Sequence, residues 1–71
     1  MTGAQWIEAY ATLLGVTPPT AHDIEQILAL AGDAAHASER SAAPVACWLA
    51  ARAGVTIAHA SEVAHRVASA D

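Results

Sequence analysis

Asp33, His36 and Arg40 are the residues whose types and spacing could do chemistry together. On a helix, positions three and four apart stand one turn above each other, so a carboxylate acceptor, a titratable imidazole and a fixed guanidinium donor form a ladder on one side. Gln26 falls on the same side, and Leu30 projects toward its edge, where a contact surface would use a leucine. This set suits recognition of another protein. It is thin for catalysis, because Asp33 and Glu39 are the only acid-base partners near His36, and the chain has neither a glycine-rich phosphate loop nor a nucleophile elbow. Asp33 and His36 could offer a metal two ligands, but His59 and His65 point about 120° apart on a helix, and His22 and His36 are about 21 Å apart along one. The residues therefore predict no enzyme, no catalytic residue, no metal set and no cofactor.

The elements that must position this ladder follow from periodicity and punctuation. At about 100° per residue, Ile24, Ile27, Leu28, Ala31, Ala34 and Ala35 share one side of a helix from about Ala21 to Ser38, while His22, Gln26, Asp33, His36 and Arg40 share the other. The first side is the expected core face and the second the expected outward face. Thr2 and Gln5 have the form of a capping box ahead of a stripe of Trp6, Ile7, Tyr10, Leu13 and Leu14, which ends at Gly15. Pro18 and Pro19 make the link that follows an extended connector, and Thr17 or Thr20 caps the second helix, Thr20 being favoured by Asp23 at the third helical position. Ser41 is the expected cap of a third helix, about Ala42 to Ala53, with Pro44 in its first turn. That helix is apolar nearly all round, with Arg52 its only charge, so it is expected to be central and the most buried, with Val45, Trp48 and Leu49 in the core.

Gly54 stops the third helix, and Thr56 caps a fourth from Ile57 to about Ser69. Ile57, Ala60, Val63, Ala64 and Val67 line its inner side, and His59, Glu62, His65 and Arg66 read as a solvated face. The fold class is all-α, a compact four-helix bundle with helices at about 3–14, 21–38, 42–53 and 57–69, forming a single domain over 1–71. The first helix is expected to pack least regularly because of the proline link.

Length and composition set the remaining bounds. A chain of 71 residues that is 55% hydrophobic, much of it alanine, builds a thin core, and thin cores are often completed by a second copy or a partner. The net charge of −4 with three cationic side chains disfavours nucleic acid and anionic membranes as ligands. Cys47 has no second cysteine to pair with and sits in an apolar run, so a buried thiol is expected. The N-terminal residues show neither a basic flank nor an apolar signal core, and no stretch is apolar enough to span a bilayer, so a cytoplasmic location is expected.

The segment ILALAGDAAHASERSAAPVACWLAARAG carries a further signal. Its Leu-Ala-x-Asp-x-Ala-His stretch, the following arginine, and Ala-Ala-Pro before an apolar helix and glycine resemble a family of small actinobacterial helical proteins of unknown function. Members stand alone or as C-terminal extensions of proteins similar to molybdenum cofactor guanylyltransferase, near genes for molybdenum enzymes or formate dehydrogenase. The family pattern falls on Asp33, His36, Arg40 and Pro44, with Trp6 matching an early aromatic; Glu39 stands where the family often has a small residue. The nucleotidyltransferase domain is missing, so the resemblance implies no guanylyltransferase activity. It implies an accessory, protein-binding role toward a molybdenum-cofactor or molybdoenzyme component through Asp33, His36 and Arg40, and helical placement adds Gln26 and Leu30 as candidate docking residues beside them. The alternatives are a small ligand- or metal-binding domain using Asp33 and His36, or a purely structural, self-associating bundle.

Overall fold

The computed structural model describes residues 1–68. They form four helices, α1 (Gly3–Leu14), α2 (Ala21–Ala37), α3 (Ala42–Ala53) and α4 (Ile57–Ala68), with no strand among the described residues. The expected end of the fourth helix at Ser69 lies outside the described residues. The molecule is an all-α four-helix bundle measuring 40 × 24 × 18 Å.

Local chemistry accounts for the helix ends. Thr2 Oγ1 accepts from Gln5 N at 3.1 Å while Gln5 Oε1 accepts from Thr2 N at 2.8 Å. The same reciprocal pair recurs at Thr20 and Asp23, at 3.0 and 2.9 Å, and each box satisfies two backbone donors that a helix start leaves open. Thr56 Oγ1 accepts from His59 N at 3.1 Å and caps α4. Gly15 and Gly54 end α1 and α3 in the left-handed region, at φ 77° and 71°, where a side chain would be strained. Ser41 differs from expectation. Its backbone is helical (φ −65°, ψ −19°) and its side chain makes no capping bond. The corner is closed instead by backbone turns, Ala42 N to Glu39 O at 3.0 Å and Ala43 N to Arg40 O at 3.1 Å.

Packing departs from the sequence reading in one coherent way: α2, not α3, is the hub. Both α3 and α4 pack on α2, and no other helix pair meets over a comparable area. Because α2 has neighbours on two flanks, its covered arc is broad and turned toward the side that carries Leu30. Leu30 is 4% exposed, one of two buried apolar residues, with Ala11, among the described residues, and Leu28, expected in the core, is 64% exposed. The expectation that Leu30 sits at an exposed edge is thereby corrected. The expectation for α3 is also corrected, since it has no buried residue, and Val45, Trp48 and Leu49 are all more than half exposed. Ala43, Ala46, Cys47 and Ala50 form its inward side instead, because short side chains let α3 approach α2 closely while the large ones point away. Cys47 is accordingly half-buried rather than enclosed.

On α1, Ile7 and Ala11 face inward, and Trp6, Tyr10, Leu13 and Leu14 remain exposed. The total exposed area is 5481 Å², against about 4,100 Å² for a folded monomer of 7.2 kDa.

Candidate functional site

The C-terminal half of α2, the corner at 38–41 and the facing sides of α3 and α4 enclose the most distinctive surface. Ala34 and Ala37 form its floor, Ala42, Val45, Ala46 and Leu49 one wall, and Ala64 and Val67 the other. The result is an open, largely apolar hollow of about 450 Å³. A second hollow of about 160 Å³, lined by Ile27, Leu30, Cys47 and Ile57 among others, lies nearer the start of α4. Alanines create both, since a methyl group fills little of the space between helix axes 8–10 Å apart.

The ladder expected on α2 is not assembled. Asp33, part-buried at the rim of the larger hollow, meets His65 of α4 instead of His36: His65 Nε2 lies 2.9 Å from Asp33 Oδ2. A carboxylate only accepts, so the ring N–H donates. The bond ties α4 to the hub across 32 positions of sequence. With His65 68% and Asp33 39% exposed, solvent screening holds its worth to under about 1 kcal/mol. His65 was expected to be merely solvated, and its role as Asp33's partner depends on how α4 crosses α2, which periodicity within α4 does not encode. The rest of that face behaves as read, with Arg66 and Glu62 3.6 Å apart at i, i+4.

His36 and Arg40 are both exposed, and neither side chain makes a hydrogen bond or ion pair among the described residues. Arg40 lies past the end of α2, in the turn between Ser38 and Ala42, two residues that line the hollow. Arg40 itself is not part of the lining. The other arginines are engaged: Arg52 stacks over the Trp48 ring at 5.5 Å, and Arg66 approaches Glu62. Gln26 is part-buried one turn before the buried Leu30, which leaves the polar corner to His36 and Arg40 with the Asp33–His65 pair beside it.

A zinc site takes three or four protein ligands. Asp33 and His65 bring two together, and no group of three His, Cys, Asp or Glu side chains capable of holding a metal ion forms among the described residues. The carboxyl of Asp23, at the start of α2, is held below its ordinary value of 3.8 by the Thr20 backbone N–H it accepts and then by the Thr20 side chain. This is a property of the cap rather than of the hollow. No helix among the described residues is long and apolar enough to cross a membrane.

The residues that sequence reasoning missed here are Val45, Leu49 and Val67, which wall the hollow. The available signal was the apolar circumference of α3, which was read as burial.

Comparison with curated proteins and with solved structures returns no match. A family pattern matches residues 1–71, the whole chain, and the protein therefore belongs to the family described as a domain of unknown function, DUF6457.

Proposed function

We propose that the protein is a non-enzymatic accessory module that binds another protein through the polar corner where α2 turns into α3. The observation that carries this reading is Arg40: an exposed guanidinium with no partner among the described residues, in a tight turn between Ser38 and Ala42, two residues that line an apolar hollow. A guanidinium presents a rigid fork of donors that matches a carboxylate, and beside an apolar surface it makes an effective anchor for a partner. His36 stands four residues before it, in the last turn of α2, and Gln26 adds a polar group farther along α2. The lining of the hollow favours a binding role over catalysis, because Asp33 is its only ionisable group among the described residues and is already bonded to His65.

The sequence resemblance gives the class of partner that we favour, a component of molybdenum cofactor biosynthesis or a molybdoenzyme such as formate dehydrogenase, in an actinobacterial cytoplasm. The test is co-purification with identification of the bound protein, alongside native mass spectrometry. The native chain should carry such a component, and Arg40→Ala should release most of it while melting at an unchanged temperature, since an anchored arginine typically contributes about 2 kcal/mol or more to an interface. Retention of the partner by Arg40→Ala, or a chain carrying only a metal ion or small molecule, would overturn the reading.

A further inference from the structure

All the aromatic side chains of this protein, two tryptophans and one tyrosine with no phenylalanine, lie on two exposed stripes. On α1, Trp6 is 55%, Tyr10 50% and Leu13 88% exposed, and the Trp6 and Tyr10 rings rest against each other with centroids 4.9 Å apart. On α3, Val45 is 55%, Trp48 59% and Leu49 55% exposed. In a small domain aromatic residues normally supply the largest share of the core. Here they supply surface.

Both stripes are almost free of charge. Glu8, the only charged residue of α1, points about 160° away from Trp6 on the helix. Arg52, the only charge on α3, already has its guanidinium over Trp48. Covering the two stripes would bring in one ionised group, the Arg52 guanidinium, which keeps the Trp48 ring as its partner. The α3 stripe also borders the hollow, through Val45 and Leu49. Alanines floor that hollow, which is open to large side chains from outside. In its own chain α1 does not fill it, since Trp6, Tyr10 and Leu13 remain exposed.

Area sets the scale of what is left uncovered. The chain exposes about 1,400 Å² more than a folded monomer of its mass does. One standard interface covers about 800 Å² per partner, so a single dimer contact accounts for much of the excess. From these observations we propose that the protein forms a two-fold dimer in which the α1 stripe of one copy, Trp6, Tyr10 and Leu13, covers the α3 stripe and hollow of the second, and the reverse. A crosswise contact repeated by a two-fold axis closes on itself and stops at two copies. The contact places large aromatic side chains over an alanine-floored hollow, and it leaves the corner carrying His36 and Arg40 available to another protein.

The experiment is sedimentation of the full chain over a dilution series, with tryptophan emission read at each concentration. The expected result is a dimer that dissociates on dilution, its emission moving to the red as Trp6 and Trp48 enter water. Trp6→Ala and Trp48→Ala should each weaken the dimer by roughly 30-fold or more, the loss typical of a central interface aromatic, while circular dichroism stays helical. Leu13→Glu, at the most exposed position of the α1 stripe, should do the same and decides the matter should Trp48→Ala fail to fold. Leu28→Ala, at a position 64% exposed but outside both stripes, should leave the dimer intact. A chain that is monomeric at every concentration, an open series of larger species, or a dimer insensitive to Leu13→Glu would overturn the proposal. Arg40→Ala should not alter the dimer, so this contact and the binding of another protein can fail independently.

Discussion

α2 and α3 have reversed the roles their compositions suggest. α2 has a polar side and an apolar side and reads as a surface helix, yet it is the hub on which α3 and α4 both pack, and it holds the buried Leu30. α3 is apolar nearly all round and reads as a central helix, yet it buries no residue and turns Val45, Trp48 and Leu49 outward. The difference teaches that an apolar circumference reports the number of faces that will be covered, without saying by what. In α3 one face is covered by α2 through alanines, and the opposite face is free for contact between molecules.

The strongest way to break this comparison is to truncate one large residue on each helix. Leu30→Ala should cost about 2–5 kcal/mol by lost transfer energy and a cavity, enough to unfold much of so small a domain. Trp48→Ala, measured in urea at a dilution where the chain is monomeric, should cost under about 1 kcal/mol, because a side chain more than half exposed leaves no cavity behind. The reverse ranking would return α3 to the centre of the fold.

The helix starts sharpen the contrast at a smaller scale. Thr20→Ala removes half of the capping box of α2 and should cost about 1 kcal/mol, lowering the melting temperature by roughly 4–8 °C in a domain of this size. Ser41→Ala removes no capping bond from α3 and should be near neutral. The cap also predicts a pH response. The carboxyl of Asp23 is depressed in the folded chain, so its contribution is present above the unfolded value and is lost as pH falls through the folded one. Acid melting curves should show a loss of stability below about pH 4 that is absent from Asp23→Ala. His65→Ala should cost under about 1 kcal/mol, and less in high salt, because the Asp33–His65 bond is exposed.

What could be read from sequence divides along the same line. The four helices, both capping boxes, the Thr56 cap and the glycine stops are local events, each set by side chains within a few positions, and they stand where the pattern put them. The rotation of α2 is not local. Two neighbours bury a wide arc, and the apolar centre of gravity of α2 alone points toward Leu28, whereas the contact with α4 draws in Leu30 and Asp33. For the same reason the sequence points Asp33 to His36, one turn away, whereas its partner is His65 on another helix. Arg40 and His36 were legible as exposed polar groups because nothing within the fold competes for them.

The central claim is that the large apolar side chains of α3 form a surface. Its most direct test is acrylamide quenching of Trp48 as the sole tryptophan, in a Trp6→Phe chain diluted until sedimentation shows a monomer. The account predicts red-shifted emission with quenching close to that of a solvated indole. Blue-shifted, protected emission from the folded monomer would contradict it and return Trp48 to the core.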